Sequence, residues 1–520
     1  MIISNIIHNY KIQLFSIFIL GIVLRISITP FNIPLSLDAL DYFAYGTYFA
    51  QNWKIPDGIL LSNFGWPLLV SIFFVDQSNS QMIDLMNIQR FLGIICSCIT
   101  IIPIYFLCRE FFDKRIAVLS SSIIIFEPRL IENSMLGITD SLFLLLVSIT
   151  ILFAFYKSNR FLIIGFISAA FATSVRYEGF LLIIPLIVTF FLTKNFSQKN
   201  NFKFIVGILL WLLIIFIYNF IFFENLENNF FDVFGGGSQY VSKYVIMGGS
   251  DDDDEYFSDR QLENKILIFI QNSISRYILF TGWLMIPIIG IFALPGLFFL
   301  NKKIERKKII FIIFGVVLSL AGLYAFGRGI NETRYIFPLI PIFIIISCYF
   351  LQFISYKINK RVLFVVSVIG MLLISTGFMI NEKIDSTYES EIYDATKYLV
   401  TYANGVNNYD GNKFVRTAGL ENSWPDLLDL NERKKMDTGI SKIQISSEQT
   451  IEQILSEGKN KNLTHLVITE RENNIYLKKL INQNAPNFLE EVYDSRDYNA
   501  NNIIIIYEIK YDRINNDIES

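Results

Sequence analysis

Long apolar runs decide what this sequence can fold into. The stretch "IIFIIFGVVLSLAGLYAF" (residues 309–326) is typical, because it holds no charged side chain over nearly the length, about 20 residues, that a helix needs to cross a bilayer. Inside a bilayer every backbone N–H and C=O must find its partner within the chain, which makes such runs helical. With 53% apolar and only 18% charged residues, the sequence predicts an α-helical polytopic membrane protein. A net charge of -3 without a basic block excludes a nucleic-acid partner.

The run lengths predict about 11 transmembrane helices. They lie near residues 12–30, 86–108, 116–132, 140–156, 161–175, 179–193, 204–223, 276–300, 309–326, 335–356 and 362–380. One further run, "GWPLLVSIFFV" (residues 65–75), would invert every later loop if it crossed the membrane. We therefore interpret it as an external amphipathic or re-entrant segment.

Basic residues are concentrated in alternate connections between these spans. The basic connections lie at residues 108–115, 157–160, 194–203, 301–308 and 357–361. The positive-inside rule places such loops in the cytoplasm. The N-terminus is then cytoplasmic, and the C-terminus lies outside the plasma membrane. The predicted membrane domain covers residues 1–380, with external loops at 31–85 and 224–275.

The last part of the sequence changes to alternating short helical and strand patterns. "SEIYDATKYLVTYANGV" and "SSEQTIEQILSEG" have the periodicity of helices, whereas "KFVRTAGL", "THLVITE", "FLEEVYDS" and "NNIIIIYEIK" are typical of strands. Residues 381–520 are therefore predicted to form a small extracytoplasmic α/β domain. Neither a glycine-rich phosphate loop nor a catalytic constellation is recognisable in it.

The unusual ionisable residues lie at the outer ends of the predicted spans. Asp38 and Asp41 follow the first span, and Asp140 begins the fourth. The motifs "RYEG" (residues 176–179) and "GRGINETRYIFP" (residues 327–338) follow the fifth and the ninth. A charge at a membrane boundary is costly unless it is paired or faces a wet cavity. The sequence therefore predicts a polar cleft at the outer membrane surface, built from several helix ends.

The order and sidedness of these motifs resemble the GT-C superfamily of membrane glycosyltransferases, in the branch of prokaryotic protein mannosyltransferases and aminoarabinose transferases. The stretches that carry the resemblance are "LDALDYFAYG" (37–46), "EPRLIENSMLGITDSLFLL" (127–145), "ATSVRYEGFLLIIP" (172–185) and "ETRYIFPLIP" (332–341). The resemblance implies a GT-C fold and a sugar donor, mannose-like or similar, on a polyprenyl or dolichyl phosphate. The acceptor would be a protein, a lipid or a glycan on the outer face.

The resemblance also implies roles for individual residues. The family's essential carboxylate falls on Asp38 or Asp41, and the sequence leaves this choice open. The second acidic position falls on Asp140, and the arginine that meets the carrier phosphate falls on Arg334, with Arg328 as its helper. Further candidate supporting residues are Arg176, Glu178, Tyr42, Tyr45 and Glu132. For the first two of these, a buried structural ion pair is the alternative reading.

The chemistry of such a donor explains why these residue types suffice. A polyprenyl phosphate leaves as a stable anion, so the reaction needs one base for the acceptor proton and cations that hold the phosphate. Displacement by a single base predicts inversion at the anomeric carbon. A divalent cation, Mg²⁺ or Mn²⁺, held by Asp38, Asp41 and Asp140 is left open, because Asp140 can equally position the acceptor.

Two other functions compete with this interpretation. An oligosaccharyltransferase-like subunit would share the architecture, but the nearest stretch to that family's Trp-Trp-Asp signature, "NSWPDLLDL" (residues 422–430), does not match it. A lipid or solute transporter or flippase would place its ionisable or helix-breaking residues near the middle of the membrane. Here the polar motifs lie at one surface, which favours the enzyme.

Overall fold

The structure of the chain, a computed structural model, divides into two compact units. The described residues are 9–36, 38–54, 64–75, 82–156, 159–193, 198–223, 263–300, 306–381, 387–405, 413–416, 441–444, 448–460, 463–471, 474–482 and 485–514. The first unit comprises Met1–Thr29, Tyr45–Asp76 and Ile88–Glu382, and the second comprises Pro30–Ala44, Gln77–Asn87 and Lys383–Ser520. Residues 422–430 and most of the predicted external loop 224–275 lie outside the described residues.

The membrane region is built almost entirely from helices. In chain order these are α1 (Tyr10–Ile28), α2 (Asp38–Asn52), α3 (Gly65–Ser71), α4 (Met82–Ile99), α5 (Ile101–Arg109), α6 (Lys114–Phe126), α7 (Pro128–Met135), α8 (Asp140–Phe155), α9 (Asn159–Val175), α10 (Ile183–Thr193), α11 (Gln198–Phe223), α12 (Glu263–Met285), α13 (Ile288–Phe298), α14 (Arg306–Gly327), α15 (Ile340–Lys357) and α16 (Lys360–Asn381). Two stretches of 3₁₀ helix, Tyr177–Leu182 and Thr333–Leu339, precede α10 and α15.

Length and composition identify the helical stretches that can cross a membrane. Among the described residues, six are long and apolar enough: Tyr10–Ile28, Met82–Arg109, Asn201–Tyr218, Arg306–Gly327, Thr333–Lys357 and Lys360–Asn381. Three shorter apolar helices, over Asp140–Phe155, Phe161–Val175 and Tyr177–Leu192, lie between them in the chain. The predicted polytopic helical membrane protein is confirmed.

Two predicted spans are interrupted by proline. The span at 116–132 ends at Phe126, because Pro128 has no N–H to continue the helix, and the short α7 follows. The span at 276–300 is divided at Pro287 into α12 and α13, which are bent by 109°. The Glu127 carboxylate closes this break, because its Oε2 accepts a hydrogen bond of 3.0 Å from the backbone N–H of Ile289 in the first turn of α13.

A buried arginine joins the first helix to its neighbours. The Arg25 side chain on α1 is 0% exposed. Its guanidinium donates to the Ile125 carbonyl at 2.9 Å, to Ser134 Oγ at 3.1 Å and to Ser97 Oγ at 3.2 Å. These three partners lie on α6, α7 and α4, so one charged group fixes α1 against three helices. The acceptors are neutral oxygens, which keep a buried cation solvated inside the protein.

The soluble part of the second unit is a five-stranded sheet covered by helices. Its strands, in chain order, are β1 (Lys413–Arg416), β2 (Ser441–Gln444), β3 (Leu463–Thr469), β4 (Leu489–Asp494) and β5 (Ile504–Ile509), and they are arranged β2-β1-β3-β5-β4. The first three neighbours are parallel, whereas β5 is antiparallel to both β3 and β4. The helices are α17 (Thr387–Gly405), α18 (Ile451–Asn460) and α19 (Ile475–Lys479). The predicted α/β class and the closing strand pair are confirmed.

Both faces of this sheet are apolar. Leu466 and Ile468 of β3 pack with Ile454 and Leu477, which come from α18 and α19. On the opposite face, Tyr398 of α17 donates a hydrogen bond of 2.8 Å to the Val492 carbonyl of β4. This two-sided cover explains why β5 reads as a run of isoleucines rather than as an alternating pattern.

We expect the sheet to lose stability in mild acid because of one histidine. His465 on β3 is 0% exposed and pairs with Glu508 of β5. Burial lowers the pKa of its imidazole from 6.5 to about 4. Between these two pKa values the imidazole is protonated in the unfolded chain but neutral in the folded sheet. The free energy of unfolding therefore decreases as the pH falls through 6.5 toward 4, by up to about 3 kcal/mol.

Amide hydrogen exchange of β3 and β5 in the full-length protein, followed between pH 7 and 4 and corrected for the intrinsic rate, measures this loss. The variant His465→Gln should flatten the profile, whereas replacing the only other histidine, His8→Gln, should leave it unchanged. A profile in wild type that is already flat would contradict the prediction.

Candidate active site

Three chain segments of the first unit meet around one arginine. They are the start of α8, the 3₁₀ turn that follows α9, and the 3₁₀ turn that precedes α15, and they bring together Asp140, Arg176, Glu178 and Tyr335. Each segment begins where an apolar helix begins or ends, which is where the sequence predicts a polar cleft. We call Asp140, Arg176 and Glu178 the ion-pair cluster.

Arg176 is the centre of the ion-pair cluster. Its side chain is only 8% exposed. Nη1 donates to Asp140 Oδ1, while Nη2 and Nε donate to the two oxygens of Glu178, at 2.8 and 3.3 Å. Both edges of the planar guanidinium are therefore occupied, an arrangement that a lysine ammonium cannot reproduce. The predicted supporting pair of Arg176 and Glu178 is in contact, and it includes Asp140 as a third member.

Asp140 is held from two sides at the first residue of α8. Its side chain is 2% exposed, and Oδ2 accepts a hydrogen bond of 3.4 Å from Asn133 Nδ2 while Oδ1 accepts from Arg176. The position in the first turn of a helix also favours a negative charge, because the helix dipole is positive there. Both oxygens of the Asp140 side chain are thus engaged by protein donors.

Aromatic rings close the cluster. The Arg176 guanidinium lies 5.7 Å from the centroid of Phe143 and 5.1 Å from that of Tyr335. Contact with the negative face of a ring partly replaces the water that a buried guanidinium gives up. The buried cation is therefore paired with two carboxylates and lies against two aromatic rings.

The predicted phosphate-binding arginines lie around the turn that precedes α15. Arg334 pairs with Glu332 and is 20% exposed, and its charge acts on Glu178. Arg328 is exposed, packs over the Tyr324 ring at 5.8 Å, and its charge acts on Tyr177. Arg334 is therefore within electrostatic range of one member of the ion-pair cluster, and Arg328 is within range of the residue before it in the chain.

A third arginine, Arg276 on α12, was not predicted from the sequence. Its Nη1 donates to the Gly329 carbonyl at 3.0 Å and also to the Asn331 side chain. Gly329 has a φ of +90°, a conformation that favours glycine, so Arg276 fixes the turn between Arg328 and Arg334. No sequence signal links Arg276 to this turn, because Arg276 and Gly329 lie 53 residues apart in the chain.

Glu132, the other predicted supporting residue, lies on α7 in a separate ion pair. Its Oε2 is 3.3 Å from Nη1 of Arg129. The Arg129 guanidinium lies 4.8 Å from the ring centroid of Phe378 and 5.3 Å from that of Trp283. Glu132 therefore pairs within α7 with an arginine whose side chain packs against α12 and α16.

The predicted base candidates lie at the start of α2. Asp38 and Asp41 occupy its first turn and are half-buried, and Tyr42, 4% exposed, follows directly. Asp38 and Asp41 share one helix face because they are three residues apart. Both belong to the second unit, and the predicted closeness of either carboxylate to Asp140 stays a prediction. Tyr45 belongs to the first unit, where its ring stacks on Phe64 at 6.0 Å.

The described part of the chain offers no ready metal site. No group of three or more His, Cys, Asp or Glu side chains in it is placed to hold an ion. A cation at Asp140 would have to displace Arg176 or Asn133 from the carboxylate. The donor set of the first unit therefore does not fit Mg²⁺ or Mn²⁺, which require several available oxygens.

Comparison with known proteins agrees with the sequence resemblance. Residues 84–221 match the family described as dolichyl-phosphate-mannose-protein mannosyltransferase. This segment contains the whole ion-pair cluster, and both ends of the membrane region lie outside it. Curated protein sequences give no match.

Solved structures of membrane glycosyltransferases share the fold. The oligosaccharyltransferase of Archaeoglobus fulgidus, tethered to an acceptor peptide with an NVT sequon, superimposes with a TM-score of 0.56 at 12% identity, over 89% of this chain and 70% of that one. ArnT from Cupriavidus metallidurans bound to undecaprenyl phosphate gives 0.54 at 10% identity, over 96% and 98%. AglB from Archaeoglobus fulgidus in complex with an inhibitory peptide and a dolichol-phosphate gives 0.53 at 11% identity, over 88% and 69%.

A further structure of the Archaeoglobus fulgidus enzyme, with a TM-score of 0.55, contains Zn and sulfate. At these identities the likeness establishes the fold. The chain therefore shares the fold of the Archaeoglobus fulgidus oligosaccharyltransferase and of ArnT, and its residues 84–221, which include Asp140 and Arg176, match the mannosyltransferase family.

Proposed function

We propose that this protein transfers a sugar from a polyprenyl or dolichyl phosphate to a protein, lipid or glycan acceptor at the outer membrane surface. The observation that carries the proposal is the ion-pair cluster at helix ends of the shared fold, with the charges of Arg334 and Arg328 acting on Glu178 and Tyr177. The cluster supplies fixed charge where an anionic leaving group would form. The polyprenyl phosphates bound by two of the superimposed structures support this donor class.

Arg334 and Arg328 are the proposed partners of the carrier phosphate. Arg176 is excluded from this role, because Asp140 and Glu178 occupy both edges of its guanidinium. Arg334 instead pairs with Glu332, a more exposed carboxylate at 46%, which a phosphate can replace. Two guanidinium groups hold the developing charge of the leaving phosphate through charge-assisted hydrogen bonds.

The proposed base is Asp38 or Asp41. Because the phosphate leaves as an anion, no acid is needed, and the base takes the proton of the acceptor as the sugar's anomeric carbon is attacked. Attack opposite the leaving phosphate inverts that carbon.

None of the steps proposed for the transfer uses a divalent cation. The ligands proposed for Mg²⁺ or Mn²⁺ reduce to Asp38 and Asp41, because Asp140 is engaged by protein donors. Turnover after removal of divalent ions with EDTA decides whether any cation takes part, and we propose that the chemistry of the ion-pair cluster itself does not require one.

We further propose the orientation that the basic loops indicate. The N-terminus lies in the cytoplasm, and residues 381–520 form a domain outside the plasma membrane. With this orientation the helix ends that carry the ion-pair cluster face outward, where an acceptor is available. Membrane lipids surround the first unit and present the carrier.

Oligosaccharyltransferase activity is the second candidate. It is favoured by the superposition on the Archaeoglobus fulgidus enzyme over 89% of this chain. The two activities differ in what is transferred, and the mass added to the acceptor, one sugar or a preformed chain, separates them. The transporter alternative predicts no bond cleavage at all.

We expect purified protein in detergent, supplied with a membrane extract as the source of acceptor, to release free polyprenyl phosphate from labelled dolichyl-phosphate mannose or from another labelled polyprenyl-phosphate hexose. Asp38→Asn or Asp41→Asn should abolish this release, because an amide cannot take the acceptor proton. Thin-layer chromatography of the lipid products measures the outcome. Full activity in both variants would disprove the assignment of the base, and an intact donor with wild-type protein would disprove the enzyme.

Substituting the phosphate arginines should weaken donor binding. Arg328→Gln and Arg334→Gln each remove a charge-assisted contact, so each should raise KM for the donor about tenfold to a hundredfold. Arg496→Gln in the soluble domain, which likewise removes an arginine paired with a carboxylate, should leave KM unchanged. An equal effect of all three changes would indicate a nonspecific loss of charge.

Breaking the ion-pair cluster should cost stability as well as activity. In Arg176→Met the carboxylates of Asp140 and Glu178 are buried together without a cation, which costs about 3–5 kcal/mol. Arg176→Lys should recover only part of this, because an ammonium cannot bridge both carboxylates. Thermal unfolding in detergent measures the order wild type, Lys, Met. A Met variant as stable as wild type would show that the cluster is not the structural centre of the site.

A further inference from the structure

The short helix α3 contacts the two chain segments that lead into Asp140 and Arg176. Its first two residues are Gly65 and Trp66, within the run that the sequence predicts to be amphipathic or re-entrant. Trp66 is 0% exposed and reaches the turn that leads into Asp140, whereas Gly65 meets the end of α9 two residues before Arg176. This packing argues for a re-entrant segment rather than a surface helix.

The contact of Trp66 is to the turn between α7 and α8. The Gly137 carbonyl in this turn accepts two hydrogen bonds, from Trp66 Nε1 at 2.9 Å and from Gln89 Nε2 at 2.8 Å. Gln89 on α4 is also 0% exposed. Gly137 has a φ of +73°, so the turn has a left-handed conformation that other residues adopt at a cost. Both lone pairs of this carbonyl are used, three residues before Asp140.

The contact of Gly65 is to the backbone of Ser174. A Cβ at residue 65 would lie 2.8 Å from the Ser174 carbonyl carbon and oxygen, so only glycine allows this approach. The Tyr218 hydroxyl reinforces it, because it accepts from the Phe64 N–H at 2.7 Å and donates to the Ser174 carbonyl at 3.4 Å. The chain direction at Arg176 is therefore set by the same segment that sets the direction at Asp140.

We infer that Gly65 and Trp66, together with Gln89, position the ion-pair cluster for sugar transfer. The inference rests on the proposed function and adds a role for a segment outside the cluster. Their contacts described above are to the Gly137 carbonyl and to the end of α9, so they are positioning residues. Their effect on the reaction passes through the turn at Gly137 and through the end of α9, where a small shift changes the line between Asp140 and Arg176.

The first test needs no substrate. Trp66→Phe and Gln89→Met each remove one donor to the Gly137 carbonyl, and hydrogen exchange of amides 136–140 in the full-length protein should accelerate about fivefold to tenfold in each. The double variant leaves this buried carbonyl without either donor, so its exchange should accelerate by more than the product of the single effects. Additive or absent effects overturn the inference that the two donors hold one turn.

A matched control separates the lost hydrogen bond from the lost indole. Trp211 on α11 is 3% exposed, and its Nε1 has no hydrogen-bond partner among the described residues. Trp211→Phe is therefore the same substitution at the same burial without a bond to lose. It should leave the exchange of amides 136–140 unchanged, and an equal acceleration in this variant overturns the assignment to the Trp66 N–H.

The second test is kinetic, with labelled dolichyl-phosphate mannose or whichever labelled polyprenyl-phosphate hexose the wild type uses. Trp66→Phe should lower kcat about tenfold with KM for the donor within about twofold, measured below the thermal midpoint of each variant, and Gly65→Ala should lower kcat through the end of α9. Faster exchange with an unchanged kcat overturns the positioning role. If wild type uses no such donor, the proposed function fails, while the exchange experiment still decides whether the turn is held.

Discussion

The arrangement of the outer helix ends depends on one guanidinium that bridges two carboxylates. Arg176 joins the start of α8 to the turn after α9, and Tyr335 adds the turn before α15. At a membrane boundary each of these charges would be costly alone. Together they are satisfied by one another, so the three segments are stable only when they meet. The polar contacts of the site are therefore part of the packing that holds these helix ends together.

The site contains two kinds of arginine, one that is structural and one that is proposed to bind a ligand. Arg176 is paired with two largely buried carboxylates, Asp140 and Glu178, which makes it part of the scaffold. Arg334 pairs with the partly exposed carboxylate of Glu332, and we propose that this bond is exchanged for a bond to a ligand. Buried ion pairs resist exchange because a lost partner leaves an unpaired charge. Burial therefore separates the residues that shape the site from those proposed to bind in it.

Much of the fold could be predicted from the sequence because apolar run length reports directly on membrane helices. The ends of α8, α9 and α14 agree with the predicted spans to within a few residues. The break at Pro287 was missed, although proline is its cause, since the run continues through it without a charge. Strand β2 was missed because its four residues, Ser441–Gln444, are too few to show a period.

The residues of the candidate site, like the elements of the fold, could be predicted only in part from the sequence. Asp140, Arg176 and Arg334 are visible in the sequence because a charge beside a long apolar run is unusual. The contacts of Arg276 and Trp66 could not be predicted from the sequence. Each side chain donates to a backbone carbonyl of a distant segment, and every residue type has such a carbonyl.

The hydrogen bond from Ile289 to Glu127 has a consequence for biogenesis. The N–H groups at the start of a helix inside a bilayer need an acceptor, and here the acceptor comes from an earlier part of the chain. Ribosomal synthesis delivers α6 and Glu127 to the membrane long before α13 emerges. The start of the later helix is thus completed by an acceptor on a segment that is synthesised before it.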